Sequence, residues 1–254
     1  MTFKKRLLTY TLAIATSILH PPFAEAQMSA ESEPRDTERQ YSFSPVTISG
    51  FGSPLTASYK RLQRGVISFH ENSQLAPLAL LKFSVSDPEQ NSTPLILRLE
   101  LNDDHWLPID VDAKGDFVLP TITDPQMETA QIVANRRKGV ARIEPRVTSP
   151  GLEEGARRLG DIRLTCSVRW AIYGDDAPLA LRAMTALTDG PCNNRFIRMY
   201  LIPRSNEKLK KFTLQEGSRK FDLVEDVMRR GLVIPLHDQS WTNEALVVSK
   251  LNLE

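Results

Sequence analysis

Apolar and polar positions alternate in short runs through most of this chain, and the runs are parted by Pro, Gly, Asn and Asp. Successive side chains of a strand point to opposite faces, so alternation of this kind marks half-buried strands. Runs at 46–48, 66–69, 80–85 and 95–101 predict the first four strands. In the last of them Leu95, Leu97, Leu99 and Leu101 share one face, and Arg98 and Glu100 the other. Trp106 and its successors lead into Asp112-Ala113-Lys114-Gly115, and Asp116-Phe117 leads out. This predicts a hairpin, because Asp opens a turn through its side chain and Gly supplies a positive φ. A second hairpin is predicted over 131–147, turning at Lys138-Gly139. There Ile132 and Ala134, then Ala141, Ile143 and Val147, alternate instead of following a helix opened by Asp124-Pro125. The longest alternation covers 161–173. It puts Ile162, Leu164, Cys166, Val168, Trp170 and Ile172 on one face and Arg163, Thr165, Ser167 and Arg169 on the other, which predicts a strand with Trp170 in the core.

One helix is predicted at 177–187, opened by Asp176 and Pro178 and closed by Gly190-Pro191. Beyond it, strands are expected at 195–202, 212–214, 232–236 and 245–251, with a short helix the alternative at 221–230. Short strands divided by turns every 8–12 residues or so predict a mainly β fold. The expected architecture is a β-sandwich, Ig-like or prealbumin-like, with a smaller α+β C-terminal part.

The N-terminus has a different texture. Lys4, Lys5 and Arg6 precede an apolar run at 7–19, Pro21-Pro22 ends it, and Ala24-Glu25-Ala26 stands before Gln27. That is the layout of a secretory signal peptide. A membrane span needs about 20 apolar residues, more than this run offers, so cleavage is expected rather than anchoring. The expected organisation is a signal peptide at 1–26, a polar disordered leader at 27–42, a β-sandwich domain at 43–173 and a C-terminal β-rich subdomain at 174–254. The processed chain is expected to be soluble, periplasmic or secreted, with no stable membrane insertion.

The whole chain has 32 basic and 31 acidic side chains, a formal charge of +1. Cleavage removes Lys4, Lys5, Arg6 and Glu25 and takes it to −1. So neutral a chain lacks the phosphate-neutralising footprint of a nucleic-acid binder. Cys166 and Cys192 are its two cysteines. In an oxidising compartment an even count predicts a disulfide, here closing a loop of roughly 25 residues. The spacing is not that of a C-x-x-C redox pair, and a metal site needs more ligands than two.

Candidate chemistry is sparse. Asp110, Asp112 and Asp116 start like a calcium loop, but Lys114 and Thr121 stand where that loop needs oxygen ligands, so an ordinary turn is expected. His70, His105 and His237 have no spacing that makes them converge on zinc. His237, Asp238 and Ser240 are the residue types of a hydrolytic triad, yet triads are defined by geometry and not by adjacency. Ser205-x-x-Lys208 lacks the companion motifs of serine acyl-transferases, and the nucleophile elbow and phosphate loop do not occur. No catalytic residue, cofactor or metal is expected. Trp106 and Trp241 lie beside acids, and with His105, His237 and Asp238 they form the candidate ligand platform, since an aromatic face next to polar groups suits a glycan or peptide.

The run W-x-x-x-x-x-D-A-K-G-D-F-V-L-P at 106–120 resembles a hairpin of carboxypeptidase-regulatory-like domains. The resemblance implies a seven-stranded, prealbumin-like, non-catalytic sandwich serving as spacer or binding module. More broadly, the chain resembles exported proteins of Gram-negative bacteria. The expected function is therefore a binding or scaffolding module of the envelope, with an envelope protein or glycan as partner. The alternative is an envelope hydrolase or transferase using His105 or His237 with nearby acids.

Overall fold

The computed structural model describes residues 53–87, 93–102, 104–122, 125–153, 155–187, 190–195, 199–201, 210–226 and 231–251. The chain divides into units 1–46 and 47–254, and every described residue belongs to the second. The expected signal peptide, leader, strand at 46–48 and Ser205-x-x-Lys208 lie outside the described residues. No helix among the described residues is long and apolar enough to cross a membrane.

The fold is mainly β, built of antiparallel sheets. Its first half carries β1 (Pro54–Ser58), α1 (Tyr59–Glu71), β2 (Leu80–Ser86), β3 (Leu97–Asn102), β4 (His105–Ile109), β5 (Asp116–Phe117), β6 (Gln131–Arg137) and β7 (Arg142–Thr148). One sheet has the order β1-β6-β3-β4 and a second the order β5-β2-β7. The second half carries β8 (Arg157–Arg158), α2 (Leu159–Tyr173), α3 (Leu179–Ala186), β9 (Met199–Leu201), β10 (Lys210–Glu216), β11 (Arg219–Asp222), β12 (Glu225–Asp226), β13 (Gly231–Ile234) and β14 (Leu246–Leu251). These strands form sheets ordered β11-β10-β14-β8 and β12-β13-β9. The described part of 221–230 holds the end of β11 and the whole of β12 and no helix.

Both expected hairpins are corners between sheets. The Asp112 turn forms as predicted: Asp112 Oδ1 accepts from the N–H groups of Lys114 and Asp116, both at 2.9 Å, and Gly115 sits at φ 79°. The strands it joins do not pair with each other. β4 pairs with β3, making a hairpin through Asn102 and Asp104, whereas β5 pairs with β2. Likewise β6 pairs with β1 and β3, and β7 with β2. Two of the three carboxylates of the calcium-like run are spent on this corner: Asp112 holds Lys82 at 2.9 Å, and buried Asp116 takes Arg146 through both oxygens at 3.0 and 3.1 Å.

The long alternation at 161–173 folds as a helix and not as the expected strand. A helix advances about 100° per residue, so every second residue lands about 200° away, and residues four apart nearly coincide. Even-numbered positions therefore split into two rows on opposite faces. Leu164, Val168 and Ile172 enter one core with α1 and the first two sheets; Ile162 and Cys166 enter a second with Phe212, Leu214, Leu232, Ile234 and Val247. An alternating pattern that looks like one buried face is a helix wedged between two cores. The place where a domain boundary was expected, 173/174, is the end of this shared helix, and β8 just before it pairs with β14.

The expected strand at 66–69 is likewise helical, as part of α1. Tyr59, Leu62, Val66 and Phe69 follow the helical period, and Ser58 caps the helix by accepting from the Arg61 N–H at 3.4 Å. α1 lies against α2 where Gly65 meets Val168 and Ile172: a Cβ at 65 would stand 2.7 Å from the Ile172 side chain.

Candidate functional site

The expected ligand platform is divided between two places. His105 and Trp106 lie on β4, an edge strand, with His105 exposed and Trp106 half-buried opposite Glu100. His237, Asp238 and Trp241 lie on the 235–245 loop over the second core. Trp241 is 3% exposed and belongs to that core, with the Arg219 guanidinium 3.7 Å over its ring, so it offers no face to a ligand. His237 is exposed. The Ser240 hydroxyl accepts from Arg219 Nη2 at 3.0 Å, and the Ser240 N–H donates to Asp238 Oδ1 at 2.9 Å. Hydrogen bonds from Ser240 hold Asp238 below the usual carboxylate range. The cluster is a fastened turn in which Ser240 is engaged by Arg219 and Asp238.

The described residues form a cleft elsewhere, of about 600 Å³, at the meeting of α1, the C-terminal end of α2, and α3. Trp170 makes part of its lining and is half-buried, outside both cores, so its expected place in the core is corrected. The reason is helical geometry. Trp170 stands one turn beyond Cys166 on the face of α2 that looks to the second core, but it lies past the end of that core, where α3 and Gly190 stand instead of sheet. Gly174, a further turn on, leaves the indole room. A Cβ there would come within 3.0 Å of its Cδ2 and Cε2.

Charged groups line the same cleft. Arg64 Nη1 holds Asp175 Oδ2 at 2.6 Å, and this bond keeps the Asp175 carboxyl below its ordinary range. The Arg64 Nε is buried without an acceptor. Next to this pair Arg61 holds Asp176, also at 2.6 Å. Arg182 of α3 is exposed, and its guanidinium makes no direct ion pair among the described residues.

α3 forms where the sequence predicted a helix, following Pro178, but it turns its apolar side outward. Leu179 is 78% exposed and Leu187, just beyond the helix, 87%, while Thr185 is its buried residue. Its end is fixed in two ways. The Gly190 N–H donates to the Thr185 carbonyl at 3.0 Å, and Pro191 leads to Cys192, bonded to Cys166 of α2. The expected disulfide is thus present, with 26 residues of separation, a constraint of about 3.5 kcal/mol in the chain-entropy account. Gly190 has φ 97°, a conformation that admits glycine readily and other residues at a cost.

On the flank of α2 facing β7, Tyr173 donates its hydroxyl to the Ile143 carbonyl, and Arg169 grips Glu144 at 3.1 and 3.2 Å. Burial raises the Glu144 carboxyl despite Arg169 and Arg142. Burial first, and then the Glu144 charge, pushes the Tyr173 phenol up to about 12. A phenol with a folded value above its unfolded value of about 10 favours the folded state fully below pH 10 or so and loses that advantage as pH climbs towards 12. Stability is therefore expected to fall between those two values, and Tyr173→Phe to flatten that decline. Chemical unfolding at stepped alkaline pH measures it; an unchanged slope in the variant would refute the assignment.

Compared with family models, curated proteins and solved structures, the chain matches none.

Proposed function

We propose that this chain is an exported, non-catalytic binding module of the bacterial envelope, periplasmic or secreted, and that the cleft between α1, α2 and α3 is its ligand site. The observation carrying the proposal is the combination found there: the half-buried Trp170 in the lining, arginines from two helices, and a wall tied down by the Cys166–Cys192 bond. Concave sites that mix an aromatic face with a few convergent polar groups are the usual form of a small-ligand site. The export reading rests on the 1–26 sequence, and the disulfide suits an oxidising compartment. Partners from the envelope, protein or glycan, follow from that location. The sandwich reading of the first half draws on its two antiparallel sheets sharing one core and joined by corners; α1 and α2 enter the same core, beyond what a bare sandwich contains.

Two measurements test the proposal. Intact mass of the chain released from native cells by osmotic shock is expected to start at Gln27 and to gain two hydrogens on reduction. A chain kept in the cytosol with Met1 attached and both thiols free would end the export reading. Washed native envelopes are expected to co-sediment the wild-type protein and to retain Trp170→Ala several-fold less; equal retention would remove the cleft from the function.

A further inference from the structure

Resting on the reading of the cleft as the ligand site, we infer that its ligand is a saccharide bearing a single carboxylate on each recognised unit. The walls decide against an extended peptide. Among the described residues they come from α1, α2 and the turn that follows it, α3 and Gly190, none of them in a strand, so these walls offer no open strand edge for a peptide to pair with. An apolar helix fits poorly as well, because Arg64, Asp175 and Arg182 line the space it would fill.

The remaining features suit a sugar. The half-buried indole of Trp170 presents a flat apolar surface to the cleft, suited to the C–H face of a pyranose. Sugar hydroxyls both donate and accept, and the cleft presents both partners side by side, Asp175 to accept and the arginines to donate. Charge then fixes the class. Among the described residues of the cleft, Arg64 and Asp175 cancel each other at 2.6 Å, which leaves Arg182 as the surplus cation. One positive charge calls for one negative charge, and the Arg182 fork matches a carboxylate through two parallel hydrogen bonds. A phosphate monoester carries about −1.5 to −2 charges near pH 7, more than Arg182 offsets beside Asp175, whereas a carboxylate carries one. The buried, unbonded Arg64 Nε adds a donor that an incoming oxygen can satisfy if the Arg64 side chain turns from Asp175.

Calorimetric titration of the disulfide-intact protein tests this with three probes: a uronic-acid tetramer, a neutral hexose tetramer of the same linkage, and an acidic tetrapeptide of equal charge. The acidic saccharide is expected to bind most tightly of the three. Arg182→Gln, whose side chain is exposed and makes no ion pair among the described residues, is expected to weaken it about tenfold and the neutral probe by a clearly smaller factor, the hydrogen bond without the charge. Trp170→Ala is expected to abolish binding of both saccharides, with an unaltered unfolding midpoint as the check on its fold. If acidic and neutral saccharides bind alike and Arg182→Gln changes neither, the charge inference is overturned and the cleft stands as the site. The peptide binding more tightly than the saccharide, with the same dependence on Arg182 and Trp170, overturns the saccharide class alone. Failure of all three probes to bind, in a protein whose envelope retention still requires Trp170, overturns this inference and leaves the proposed function intact; retention indifferent to Trp170 removes both.

Discussion

Gly160→Ala is expected to destabilise the fold by at least about 3 kcal/mol, the upper part of the range for forcing an atom into a filled interior. Gly160 sits in the first turn of α2, where three segments meet. A Cβ there would stand 2.1 Å from the carbonyl oxygen of Leu75, 3.0 Å from Asn243 Cβ and 3.1 Å from the Asn243 carbonyl oxygen. The Gly160 N–H also donates to that Asn243 oxygen at 2.9 Å, so the loop cannot withdraw without losing a bond. The obstacle is backbone on two sides and does not yield as a rotamer does. Gly65→Ala makes the contrast. Its Cβ would meet the flexible end of Ile172 at 2.7 Å, and alanine's higher helix propensity, about 1 kcal/mol, offsets much of that contact. Urea unfolding of both variants measures the pair. A Gly160→Ala loss below about 1 kcal/mol, or a larger loss at Gly65, would contradict the packing described at the head of α2.

Arg163→Ala is expected to cost about 3 to 5 kcal/mol, several charge-assisted hydrogen bonds together with the carbonyls they leave unsatisfied. Arg163 is a buried residue on the side of α2 between the two apolar rows, and its guanidinium fastens the 236–243 loop. Nε donates to the Leu236 carbonyl at 3.0 Å and Nη2 to that of Asp238 at 2.8 Å. Nη1 donates to the Trp241 carbonyl at 3.1 Å and to Asn243 Oδ1 at 2.7 Å. Burial draws the Arg163 pKa down, opposed by the charges of Asp238 and Glu216. Lysine supplies one charged centre in place of a planar fork and cannot reach all four acceptors, so Arg163→Lys is expected to recover less than half of the loss. Trp241 packs under the fastened loop and serves as a local reporter. Its emission is expected to shift to the red in Arg163→Ala under conditions where far-ultraviolet dichroism is unchanged. A variant within about 1 kcal/mol of wild type would mean that the loop is held by other contacts.

Much of the fold was legible in local pattern, and the errors have one physical source. Strands at 80–85, 95–101, 212–214, 232–236 and 245–251 lie where alternation put them, and the Asp112-to-Gly115 turn and α3 lie where turn and cap chemistry put them. α1 was legible too, from Ser58 as a cap and the period of Tyr59, Leu62, Val66 and Phe69, but the β-branched pair at 66–67 outweighed that longer signal. α2 was not legible in this way. Alternation separates a strand from a helix only when one core is involved; between two cores, rows of residues four apart on opposite faces produce the same alternation. The corners at Asp112 and Lys138 show a similar limit, since a turn sequence fixes the reversal of the chain and not the sheet that each arm joins.

The sequence by itself determined which residues are apolar or charged, where the chain turns, that strands dominate, and that Cys166 and Cys192 were available to pair. Tertiary structure alone decided that 161–173 is a helix, that Trp241 is sealed while Trp170 is only half-buried, and that Arg64, Trp170, Asp175 and Arg182 surround one cleft. The reason is range. Turn chemistry and local period act between residues a few positions apart, whereas the cleft joins side chains separated by more than a hundred positions, and only the packing of α1 and α3 against α2 brings them together.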